Sequence, residues 1–386
     1  MISKFFMLLR IPVLIGVLDS SNYIMYLANI NNTLYYSIIV IAKAAILVAF
    51  SSKYIKRMKR MMPESMFLCL TMIGLASSIF LYDVELLAII QYCMFFFSLF
   101  LTLLFVRSDI RGYASGVAVS GFLILAVYIP LVHLGKIDNH YGRFLFLGDM
   151  HPNLGGEILA TVLILSSFCL RFKSFTFLFL SIFYACMLMQ SRSSLLAIMI
   201  CWVLYCVRLI IQRKGLKTAV LLFGVGVILV PTVVLIGVVS VPTVGDFVTG
   251  FFADKIFLVS NEYRGGGTGL SGRDHHWAVS LELFADHPFW GVGIDYPARL
   301  NVLQPHNWFL YSITQFGLVG VFLCLFVLAQ FIIVLKRSMN YTVVLIPLLL
   351  MMLINDRFMN LNIYPFGLYV ILFSIGSGRT HQLKRQ

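Results

Sequence analysis

His306 and Asn307 stand side by side at the head of an apolar run, Arg273 and the pair His275–His276 precede them, and Arg192 sits alone between two apolar stretches. These residue types suit one kind of chemistry. An imidazole with an ordinary pKa near 6.5 is the natural proton acceptor at neutral pH, and a guanidinium offers a planar fork of donors matched to phosphate oxygens. Each has a plainer reading beside it. A histidine heading an apolar helix also serves as an interfacial or capping group, and an arginine at a membrane surface also snorkels to water.

Other polar groups sit in similar positions. His151 opens GDMHPNLGGE, where helix-start chemistry and substrate contact are both open readings. Arg357 pairs with Asp356 in a turn or adds a third cation, ranked below Arg192 and Arg273. Trp277, Trp290, Trp308 and Tyr311 suit either an interfacial belt or sugar stacking. Adjacent histidines on a helix point about 100° apart, so His275 and His276 do not readily share an ion. With no Cys/His spacing either, neither a metal nor a cofactor is expected.

The rest of the chain is built to hold these islands in lipid. Of the 386 residues 60% are apolar and 12% charged, against about 25% charged in soluble domains. A span needs roughly 20 apolar residues, and the chain offers about a dozen runs. The expected fold is all-α: a polytopic membrane helix bundle of about twelve transmembrane helices, residues 1–386 forming one integral-membrane domain. The first run carries no small-residue cleavage site and reads as a retained helix. Spans are expected near 5–28, 33–52, 66–82, 85–106 and 113–134. A sixth starts by Glu157 and ends at RFK, a seventh runs from about 174 to MQSRSS, an eighth ends at QRKGLK, a ninth covers about 217–240, and three follow His306.

The seven cysteines all lie in apolar runs, which argues against disulfides. The net charge of +13 is a matter of topology, not a nucleic-acid footprint. With both termini cytoplasmic, 19 of the 29 Lys and Arg fall on the cytoplasmic side, and the run KYIKRMKR rests on anionic lipid. Only Arg10 and Lys43 interrupt apolar runs, while the acids are expected at helix ends. That pattern disfavours coupled transport through a polar midplane site, and leaves a transporter or flippase as the less favoured class.

Residues 241–304 form the longest loop, and loops of such length are usually functional or disordered. Gly265 to Gly269 lack the ending of a phosphate-binding P-loop. Ser271 reads as a helix cap, followed by a surface helix with Trp277, Leu281 and Phe284 on one face, closed by Asp286, His287 and Pro288. GVG at 291–293 reads as a turn.

The order SRSSLLA, SGRDHHW, HPFWGVG and PHNWFLYSITQFGLVG, from Gln190 to Gly320, resembles the O-antigen polymerase and O-antigen ligase superfamily of bacterial inner-membrane glycosyltransferases. The resemblance implies a metal-independent transferase with a periplasmic site and a glycan donor on undecaprenyl pyrophosphate. It further implies that Arg192 and Arg273 bind the pyrophosphate and that His306 contacts the acceptor hydroxyl as its base; by their position in the chain, Asn307, Arg357, His151 and Trp277 are the expected further substrate contacts. The partners implied are a lipid-linked donor and acceptor, membrane lipid and a chain-length regulator. The compact return from Gly293 to His306 favours polymerase in lipopolysaccharide biosynthesis, with ligation to lipid A core as the alternative.

Overall fold

The computed structural model describes residues 11–21, 32–49, 62–106, 109–140, 143–147, 151–215, 218, 273–337, 341–354 and 363–376. In chain order the helices are α1 (Ile11–Ser20), α2 (Asn32–Ala49), α3 (Met62–Leu81), α4 (Leu86–Val106), α5 (Ile110–His133), α6 (Pro152–Ser166), α7 (Phe172–Met189) and α8 (Arg192–Lys214). After the intervening stretch come α9 (Arg273–Asp286), α10 (Tyr296–Arg299), α11 (Trp308–Phe316), α12 (Leu318–Arg337), α13 (Thr342–Ile354) and α14 (Ile363–Gly376). A two-residue antiparallel ladder, β1 (Asn139–His140) with β2 (Arg143–Phe144), joins α5 to α6.

Among the described residues six helices, α3, α4, α5, α7, α8 and α12, are long and apolar enough to cross a membrane. Helices α1, α6 and α13, with Ser37–Ala49 of α2, are apolar but shorter; the described residues thus carry six of the roughly twelve spans expected, and several expected spans fall partly or wholly outside them. The expected ninth span, Ser271 and the glycine-rich stretch lie outside the described residues. The runs expected at 33–52, 66–82, 85–106 and 113–134 coincide with helices to within a few residues, because nearly uniform apolarity ends abruptly at polar turns such as 82–85, whereas α1 already ends at Ser20, short of the run expected to reach 28.

α5, α6, α7, α8, α13 and α14 pack about one continuous apolar core. α1 lies along α5 with backbones almost touching: a Cβ on Gly16 would meet Tyr113 O at 2.2 Å, and one on Gly116 would meet Val13 O at 2.0 Å. Small residues permit this approach where lipid provides no hydrophobic force between helices.

Lys43, one of the two cations that interrupt apolar runs, is not isolated there. Its ammonium forms a fully buried ion pair with Asp19 and donates to Ser98 Oγ at 2.7 Å and Thr102 Oγ1 at 2.9 Å. Thr102 Oγ1 donates in turn to Asp19 Oδ2 at 3.0 Å, and Tyr113 OH to the same oxygen at 3.2 Å. Asp19 therefore reaches the interior, as do Glu64 and Glu157 elsewhere among the described residues, and α1, α2, α4 and α5 are joined by a closed set of polar contacts.

The apolar run after His306 is not one helix. α11 has nine residues, about 14 Å at 1.5 Å per residue, less than half of the ~30 Å hydrocarbon layer. Gly317, at φ 58°, breaks the helix, and α12 begins at Leu318. The HPFWGVG segment docks at the break. Val292 N donates to Thr314 O and Gly293 N to Gln315 O, both at 2.9 Å, and Leu318 N donates to Pro288 O at 2.8 Å. A Cβ on Gly291 would meet Gln315 C at 2.5 Å, and one on Gly317 would meet Gly291 N at 2.5 Å. GVG is thus more than a turn, since it satisfies carbonyls that the broken helix leaves without partners.

Candidate functional site

α9 is oriented by residues spaced for a single helix face. Arg273, His276, Trp277, Ser280, Leu283 and Phe284 are buried or half-buried while their neighbours, except Val279, are exposed, as three- and four-residue spacing requires. Leu281 is 50% exposed, so it faces away from Trp277 and Phe284 and does not share their face. The inward face is held on α11: Thr314 Oγ1 donates to Ser280 O at 3.0 Å, and Trp277 Nε1 donates to Pro305 O at 2.7 Å.

That last bond secures the residue before His306. His306 itself has φ 49°, a left-handed backbone uncommon outside glycine but one that histidine adopts more readily than most residues. Its ring lies 6.3 Å from that of His276, centre to centre. The next residue, Asn307, caps α11. Its Oδ1 accepts from Phe309 N at 3.0 Å and Leu310 N at 3.1 Å, and its Nδ2 donates to Leu353 O at 3.2 Å at the end of α13. Asn307 is therefore engaged in positioning His306.

The loop before His306 rests on α3. Tyr82 OH donates to Gly291 O, and Ile294 N donates to Ser78 Oγ at 3.2 Å. Arg299 donates to the carbonyls of Val292 and Ile294 and lies 5.1 Å from the centre of the Tyr82 ring. Nearby Asp295, also left-handed at φ 57°, has its carboxyl raised above the usual range. Burial is the main cause, the charge of Glu85 adds to it, and Arg299 opposes it.

A second polar group lies where α6, α7 and α8 meet. Arg192 is the first residue of α8 and is half-buried. His151 caps α6, its Nδ1 accepting from Asn153 N at 3.3 Å. Arg143 lies in the connecting segment between α5 and α6. It donates to Met189 O at 2.9 Å, to Asn153 Oδ1 at 2.5 Å and to Gln190 O at 3.4 Å, fastening the hairpin over the turn that presents Arg192. A lone arginine in a polar segment carries no sequence mark of such a task.

Arg273, His276, Trp277, His306 and Asn307 thus form one cluster, and Arg192, His151 and Arg143 a second. Arg357 lies outside the described residues. Of the aromatics considered for sugar stacking, Trp308 is 1% exposed and belongs to the core, Tyr311 packs on Tyr296 with ring centres 5.4 Å apart, and Trp290 is exposed. The rings of His275 and His276 are 6.3 Å apart and inclined by 65°. No group of three or more metal-ligating side chains occurs among the described residues.

Residues 177–325 match the O-antigen ligase family model. This bears out the resemblance to the O-antigen polymerase and ligase superfamily, and the matched region contains Arg192, Arg273, Trp277, His306 and Asn307. No curated protein matches the chain significantly. The apolar helices and the family match together point to a membrane protein with glycosyltransferase-like activity on lipid-linked glycans.

Proposed function

We propose that the protein is an O-antigen polymerase of the bacterial inner membrane, joining undecaprenyl-pyrophosphate-linked repeat units on the periplasmic face. In this reading twelve spans place both termini in the cytoplasm. The observation that carries it is the cluster at α9 and α11: a cation, two imidazoles and a locked loop within the family match.

The chemistry follows from these groups. His306 removes the proton of an acceptor hydroxyl as its oxygen attacks the donor's anomeric carbon. The bond from that carbon to the pyrophosphate breaks, and undecaprenyl pyrophosphate leaves from the opposite face, so the anomeric configuration inverts. Arg273 and Arg192 meet the charge growing on the leaving group, each hydrogen bond to a charged group contributing about 1.5–3 kcal/mol. The cations already neutralise the pyrophosphate, and no metal enters this scheme. In a polymerase the growing chain is the donor and the next lipid-linked unit the acceptor. A chain-length regulator is an expected partner.

Ligation to lipid A core is the second reading, favoured by the description of the matching family. Deleting the gene in its host and resolving the lipopolysaccharide on a gel separates the two. Core with a single repeat unit supports polymerase, bare core with polymer retained on the carrier supports ligase, and unchanged lipopolysaccharide sinks both. Reintroduced His306→Ala or Arg273→Ala, inserted at normal levels, is expected to leave the deletion phenotype uncorrected; full correction would remove that residue from the mechanism.

A further inference from the structure

His276 has no task in the scheme above, yet its placement calls for one. It follows Arg273 by three residues, so both project from the half-buried face of α9 that Trp277 and Ser280 fasten to the chain beside His306. Its ring is 6.3 Å from that of His306. Its Nδ1 is shut off from solvent and, among the described residues, has no hydrogen-bond partner. Buried polar nitrogens are overwhelmingly paired, and an unpaired one needs an explanation.

We propose that the His276 ring turns when a diphosphate ester is held beside Arg273, so that Nδ1, closed off in this structure, donates to one of its phosphate oxygens and fixes the leaving group relative to His306. The proposal rests on the donor reading given above. A guanidinium fork grips one edge of a phosphate and leaves its other oxygens unmet, whereas an imidazole N–H supplies a single directed donor. His275 does not share this task, because its ring is exposed and turned away. The same chemistry is presented by free pyrophosphate and by the lipid-linked donor, so each serves as a probe.

The test uses the purified full-length protein in lipid nanodiscs. Affinities for inorganic pyrophosphate and for an undecaprenyl-pyrophosphate-linked glycan are measured by calorimetry, and donor KM and kcat are measured separately in a transfer assay. His276→Phe is expected to weaken diphosphate binding about tenfold, the loss of one hydrogen bond to a charged group, and to raise donor KM. His276→Asn, whose amide nitrogen takes the place of Nδ1, is expected to stay within about threefold of wild type. Unchanged affinity in His276→Phe for whichever probe wild type binds overturns the role of His276 and leaves the proposed function standing. Wild type binding neither probe overturns the donor reading and this proposal with it. Should His276→Phe misfold, His276→Gln, which carries its amide at the Nε2 position, replaces it; Gln binding as well as Asn then overturns the proposal.

Discussion

The Lys43–Asp19 cluster and the Arg273–His276–His306 cluster both set polar chemistry against apolar helices, and they differ in where the polar groups are satisfied. Around Lys43 each charge is met from within: Asp19, Ser98, Thr102 and Tyr113 close the set, and neither charged side chain has any exposure. Around His306 the internal bonds are made by backbone and by the supporting residues Trp277, Asn307 and Thr314, while Arg273 and both imidazoles remain half-open. The teaching is that a charge in a membrane bundle signals function by the state of its surroundings, since a closed set can only hold helices together.

The sharpest way to break that comparison is Lys43→Ala, which leaves Asp19 buried without its counter-charge. A loss of about 3–5 kcal/mol is expected, seen as a fall in thermal unfolding temperature and in yield. Lys43→Met with Asp19→Leu removes both charges and is expected to recover most of it. Failure of that recovery would show the pair to have a task beyond structure.

Gly317→Ala comes next. The native φ of 58° and ψ of −133° suit glycine alone, and the new Cβ would sit 2.5 Å from Gly291 N. An expected cost of about 1–3 kcal/mol should appear with faster proteolysis between Asp286 and Trp308, because the docked GVG segment is displaced. Unchanged cleavage would mean that the helix break does not hold the loop.

Asp295→Asn is the smallest and has the opposite sign. The folded carboxyl is raised, so the folded state binds its proton more tightly, and stability falls as pH rises from the unfolded value through the raised one. Asparagine tolerates the left-handed backbone and removes the repulsion with Glu85. A gain on the order of 1 °C at pH 7.5 is expected, vanishing below about pH 4 where both states are protonated. A loss at neutral pH would show that attraction to Arg299 outweighs burial.

How far the site could be read in advance follows from the physics of each residue. Helix limits were legible because a transmembrane run must be apolar throughout and ends where polarity returns. The break at Gly317 was not, since a glycine inside an apolar run is equally compatible with a continuous helix, and only the GVG segment pressed against it requires the bend. Arg143 and Arg299 bind backbone carbonyls at loop junctions, a task that a lone arginine in a polar segment does not announce. Trp308 suited either an interfacial belt or sugar stacking and is instead core. Leu281 matched a helical face by spacing but lies on the other side of α9, because the face is chosen by what α11 offers.

By itself the sequence determined that this chain is helical and lipid-borne, and which short polar motifs carry its family resemblance, since those properties reside in composition and in local order. The tertiary structure alone decided which polar groups are closed off and which are left open at half-buried faces. Partnership between Asp19 and Lys43, Trp277 and Pro305, or His276 and His306 depends on contacts between segments far apart in the chain, and spacing along a single strand of sequence does not encode them.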